Sequence, residues 1–97
     1  MAQEKTTGTV TVDGVEAPYD TRTLEDVRVM LAIGDLQSDE VDDAEKTVVM
    51  ADFTRLMFGP GRRQVMAALA EKEGGHLPVD AFVRWLGAYL EAVGAKN

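Results

Sequence analysis

The segment from Pro78 to Gly94, PVDAFVRWLGAYLEAVG, constrains this chain more than any other. Val79, Phe82, Val83, Leu86, Tyr89, Leu90 and Val93 recur at steps of three and four, which is one apolar face of a helix. Ala81, Trp85, Ala88 and Ala92 form a second face. Only Asp80, Arg84, Gly87 and Glu91 remain as a narrow polar strip. A helix apolar around most of its circumference is buried on several sides, so the rest of the chain must wrap it. One face meets the core. The second is expected either to lie under the first two helices of the chain or to meet another subunit, because Trp, Tyr and Met are enriched at interfaces. Ala81, Trp85, Ala88, Tyr89 and Ala92 are therefore interface candidates.

Upstream, TVTVDGVEAPY carries two alternating runs joined by Asp13-Gly14, the strongest short-range hairpin signal. The expected strands are residues 9–12 and 15–18, with Pro18 at an edge or strand end. A lone hairpin is marginal in water and must pack on something. Residues 1–8 are polar and expected to fray.

Four helices should follow. Thr23 and Asp26 form a capping-box-like pair, predicting a helix from Leu24 to about Ile33 that stops at Gly34. Asp42 and Glu45 form a second such pair, and that helix runs to about Phe58. A third extends from Arg62 to about Glu73, ahead of Gly74-Gly75. The fourth begins in the turn of Pro78 and ends near Val93. The fold class is mainly α, a short N-terminal β-hairpin followed by a compact four-helix domain. At 97 residues this is one domain.

The helices are more apolar than one small fold needs. Val27, Val29, Met30, Leu31, Ala32 and Ile33 leave the first with little polar face, and Met50, Phe53, Leu56, Met57 and Phe58 crowd the second. Five methionines suit adaptable contact surfaces as well as core filling.

Chemistry is sparse by comparison. FGPGRRQVM, residues 58–66, has the glycines of a phosphate loop. However, Pro60 removes an N–H, no strand precedes it and no Lys-Ser/Thr pair follows. It reads as a helix–helix corner, with Arg62 and Arg63 as a positive spot able to meet an acidic partner. DLQSDEVDDAEK does not fit the oxygen-ligand spacing of a calcium loop in either register, for position 6 is Glu40 or Ala44 where glycine is required. His76 is the only histidine, Ser38 the only serine, and there is no cysteine. No catalytic set, cofactor motif or metal site is expected.

Charge and hydropathy narrow the partners. Seventeen acidic against ten basic residues give a net charge of −7, which repels nucleic acid. No apolar run approaches the roughly 20 residues that span a bilayer, and MAQEKTTG offers no apolar stretch of a secretory signal. The expected compartment is the cytoplasm, with no membrane partner.

From about residue 20 onward the chain resembles the tail assembly chaperones of long-tailed bacteriophages, particularly those of actinobacterial phages. The resemblance rests on a pattern: a leucine-containing helix closing at Gly59, apolar positions Val65, Met66 and Leu69, a G-G-x-L-P-V connector, an apolar final helix and a Gly-Ala-Lys-Asn ending. The Gly-Pro-Gly corner departs from it, since a more polar turn is usual there. The resemblance implies a non-enzymatic protein of the infected cell's cytoplasm, absent from the finished virion. Such a protein self-associates and keeps the tape measure protein soluble until tube subunits assemble around it. Many relatives are also made in a longer, frameshifted form.

A second reading is a small acidic adaptor, or a regulatory or inhibitory protein that mimics nucleic acid. A mimic needs a continuous carboxylate stripe, whereas these acids cluster in residues 35–45. A DNA-binding helix-turn-helix is disfavoured, because its recognition helix from Arg62 would carry Glu71 and Glu73.

Overall fold

The computed structural model describes residues 7–94. Strands β1 (Thr7–Val12) and β2 (Val15–Asp20) form an antiparallel hairpin in the register Val12↔Val15, Val10↔Ala17 and Gly8↔Tyr19. Asp13 and Gly14 have φ of 53° and 80°, the paired positive values of a type I′ turn, whose twist matches that of the strands. Each strand runs two residues beyond the expected span. Thr7 and Gly8, expected to fray, pair with Asp20 and Tyr19, while the rest of that polar segment lies outside the described residues. Gly8 has a specific role: a Cβ there would come within 2.9 Å of the Tyr19 hydroxyl, so the glycine leaves room for the ring across the ladder.

The hairpin feeds a one-turn helix, α1 (Thr21–Leu24), capped by the Asp20 carboxylate, which accepts from the Arg22 N–H at 2.9 Å. Helix α2 (Val27–Leu36) begins after Asp26, not Thr23, and runs through Gly34. Asp26 is extended and accepts the Arg28 N–H, so it ends one helix and starts the next. Gly34 is exposed with nothing near its missing Cβ, and continuing one more half-turn buries Leu36 completely. That burial outweighs the modest cost of a glycine inside a helix, roughly 1 kcal/mol.

Helix α3 (Asp43–Phe58) starts as expected, with the Asp42 carboxylate accepting from the Glu45 N–H at 2.8 Å. Gly59–Gly61 forms a single 3₁₀ turn, entered by Gly59 at φ 53° and ψ −131°, a conformation that favours glycine. Helix α4 (Arg62–Lys72) follows with no intervening loop, and α5 (Val79–Ala92) starts at Pro78.

The core forms where the hairpin meets three helices. Val12, Val15 and Ala17 on the inner face of the hairpin pack with Phe53, Met57 and Phe58 of α3, Val65 and Leu69 of α4, and Phe82, Trp85, Leu86 and Tyr89 of α5. β2 packs on α3 and α4, and β1 packs on α5. Phe58 sits edge-on to Phe53, Trp85 and Tyr89, with ring centroids 5.6–6.2 Å apart, the arrangement that aromatic quadrupoles prefer. Helix α2 is peripheral. Val29, Ala32 and Leu36 bury its inner side, and its main packing partner is α3. No helix among the described residues is long and apolar enough to cross a membrane.

Candidate functional site

The structure separates the candidate residues of the last helix. Ala81, Trp85 and Tyr89 are buried within the single chain, whereas Ala88 and Ala92 are exposed. Trp85 is only 4% exposed, and its cover comes from the hairpin together with Phe58 of α3. The indole N–H donates to the Val12 carbonyl at 3.0 Å, and the Tyr89 hydroxyl donates to the Pro18 carbonyl at 2.8 Å. This corrects the picture of a free second face. A tryptophan whose N–H closes a hydrogen bond to the chain's own first strand presents no surface to a partner. Burial also pushes the Tyr89 phenol well above its usual range.

Arg62 and Arg63 stand at the start of α4. Arg62 is half-buried, and its guanidinium donates to the Ala51 carbonyl at 3.4 Å, which ties the corner to α3. Arg63 is exposed, with no ion pair among the described residues. The corner itself packs on the hairpin, where a Cβ at Gly61 would lie 3.7 Å from the Pro18 ring. His76 is exposed, and the Ser38 hydroxyl accepts from the Glu40 N–H at 3.1 Å, a local turn contact. Among the described residues no three acidic or imidazole side chains converge on a point.

Apolar surface is concentrated elsewhere. Val27, Met30 and Leu31 on α2 are 66%, 56% and 66% exposed, and Val48 on α3 is 66% exposed. These are the large apolar side chains the fold leaves in solvent. Because α2 packs mainly on α3, its remaining sides form a ridge flanked by two grooves. One groove, about 400 Å³, lies between α2 and α3 and is lined by Arg28, Leu31, Asp35, Val49, Asp52 and Leu56 among others. The second, about 410 Å³, is lined by Leu24, Met30, Ile33 and Val93 between α2 and the end of α5. The apolar excess of residues 27–33 was the signal for this ridge. Val48 carries no such signal, being one of two adjacent valines on a mixed helix.

The electrostatics of the α2–α3 groove are uneven. At one end Arg28 is held by Asp26, with Nε 3.0 Å and Nη2 2.8 Å from the two carboxylate oxygens. These hydrogen bonds, with that from the Arg28 N–H, hold the Asp26 carboxyl at about 2. Arg55 is likewise held by Asp52 at 2.8 Å. At the other end Asp35 is followed by Asp39, Glu40, Asp42, Asp43 and Glu45, with no ion pair to any of them among the described residues. The dipoles of α2 and α3 oppose each other there, so the carboxylates set the field.

No protein-family model, curated protein or solved structure matches this chain.

Proposed function

We propose that this chain is a non-enzymatic binding protein that shields an apolar helical stretch of a longer protein, acting as a phage tail assembly chaperone with the tape measure protein as its client. The observation that carries the reading is the α2 ridge: three large apolar side chains on one ten-residue helix stand more than half exposed. Contiguous apolar surface of this kind marks interaction sites. The helical pattern of residues 20–97 that resembles such chaperones supplies the identity of the client. Its setting is the infected cell's cytoplasm rather than the virion, and self-association belongs to the same proposal.

Magnitudes fit a transient hold. Completing the burial of Val27, Met30, Leu31 and Val48 is worth roughly 1–2 kcal/mol each, scaled from 1.5–3 kcal/mol for a fully buried side chain. The sum is of the same order as the roughly 4–15 kcal/mol cost of association. Burial of the client's facing apolar side chains must supply the surplus, which leaves a weak, releasable hold.

Co-expression with the candidate tape measure protein tests the proposal. The soluble yield of the client rises with the wild-type chain and not with Leu31→Glu, which leaves the fold intact because Leu31 is exposed. A client that precipitates equally with and without the chain removes the chaperone reading and favours the acidic adaptor.

A further inference from the structure

The uneven charge of the α2–α3 groove says more about its occupant. We infer that this groove takes an amphipathic helix with lysines or arginines clustered at one end, lying with that end over the acidic loop. The inference rests on reading the α2 face as a protein-binding surface, and it adds the chemistry of the segment bound.

The groove is built by an antiparallel pair. Only six residues, 37–42, join α2 to α3, and short connections between packed helices make antiparallel neighbours. Arg28, Leu31 and Asp35 therefore line one side, stepping by three and four along α2. On α3 the groove is lined by Val49, Asp52 and Leu56, and the exposed Val48 adjoins Val49. From Arg28 to Asp35 the floor is roughly 10 Å long at 1.5 Å per residue, enough for two turns of a docked helix. Leu31 stands exposed on the α2 side, and Val49 and Leu56 line the α3 side. An apolar stripe at helical spacing fits this arrangement.

Charge chooses among apolar helices. The arginines at one end are already neutralised by Asp26 and Asp52. The six carboxylates from Asp35 to Glu45 face one nearby cation, Lys46. A cationic end laid over them gains attraction that an acidic or neutral helix does not, and like-charge juxtaposition rejects acidic competitors. A second copy of this chain is a poorer occupant, since it brings another net charge of −7 to the contact.

The test uses two fluorescently labelled model peptides on the full chain. Both are 14-residue leucine–alanine amphipathic helices; one has three lysines in its last turn and the other three glutamates. The wild type should bind the lysine peptide about tenfold or more tightly than the glutamate peptide at low salt, with the difference shrinking as salt rises. Amide shifts on binding should fall on residues 27–35 and 48–56. Leu31→Glu provides the discriminating variant, because it adds a negative charge while removing the apolar lip. Docking in the groove predicts about a tenfold loss, whereas diffuse attraction between opposite charges predicts tighter binding. Val48→Glu, at the exposed position beside Val49, is the second such variant, and circular dichroism should show both folded. Asp39→Asn with Glu40→Gln should weaken the lysine peptide alone. Equal binding of the two peptides, undiminished binding by both lip variants, or dimerisation through residues 27–35 without peptide would each overturn the inference. Peptide binding as described, alongside a tape measure protein that stays insoluble, removes only the chaperone reading. A client solubilised equally well by Leu31→Glu removes the groove and keeps the chaperone.

Discussion

The indole N–H of Trp85 and the main-chain carbonyl of Val12 are 3.0 Å apart across 73 residues of sequence, and the bond is buried. It fixes the first strand to the last helix, and it decides what substitutions at Trp85 do. Trp85→Phe keeps most of the apolar contact but loses the buried indole hydrogen bond, a cost of about 0.5–1.5 kcal/mol. Trp85→Glu buries an unpaired charge and should cost about 3–5 kcal/mol, enough to unfold a domain this small. Urea denaturation checks both. A folded, fully stable Trp85→Glu would show that the indole lies outside the core.

Tyr89 adds a second tie, to Pro18, and an alkaline dependence. The raised phenol means the fold favours the neutral form over its ordinary value of 10.0. The contribution is therefore fully present below about pH 10 and declines above it, where the unfolded chain ionises first. Tyr89→Phe loses roughly 1 kcal/mol at neutral pH and also loses this component of the alkaline decline. Parallel denaturant titrations of the two proteins at rising pH measure it, and identical slopes would contradict the assignment.

The Asp13-Gly14 turn sets the register of the hairpin. Gly14→Val places a β-branched side chain at φ 80° and should destabilise by roughly 1–3 kcal/mol. Amide exchange supplies the readout: residues 9–18 are protected in the wild type and exchange faster in the variant. An unprotected wild-type hairpin would refute the packing of β1 on α5.

Asp26 gives the acid counterpart. Its carboxyl is held at about 2 by Arg28, below the ordinary 3.8. A depressed carboxylate contributes stability above its unfolded value and loses it as pH falls, here between about 4 and 2. Asp26→Asn should be less stable at neutral pH and flatter through that window. Thermal melts from neutral to acid pH make the comparison, which fails if the two curves run parallel.

Arg62 and Arg63 test docking at the corner. Arg62→Glu with Arg63→Glu should slow association with an acidic partner surface and alter its salt dependence, leaving affinity less affected. Only Arg62 carries a structural contact, to Ala51, so a single Arg63→Glu separates docking from fold. Stopped-flow association rates at several salt concentrations decide it; unchanged rates would assign the pair no docking role.

Local chemistry was legible in the sequence, and tertiary cover was not. Asp13-Gly14 announces its turn, Asp42 and Glu45 their cap, and Gly59-Pro60-Gly61 its corner, because each depends on residues within four positions. Gly34 misled because a glycine stops a helix only if nothing beyond it needs burying, and Leu36 does. Thr23 gave way to Asp26 for a similar reason: two candidate caps compete, and the carboxylate also gains Arg28. The stripe of Trp85 was visible, but a helical wheel cannot say that Val12 covers it. Nor can it say that α2, packed mainly on α3, keeps Val27 and Leu31 in solvent.

The bond between Val12 and Trp85 also has a consequence in time. On a ribosome adding about 5–20 residues per second, Val12 waits roughly 4–15 s before Trp85 is made. Through that interval the hairpin is a marginal two-stranded ribbon that lacks the α5 part of its cover. Folding of the whole domain is therefore held back until α5 has been made, and until then its acidic charge is what keeps the nascent chain dispersed.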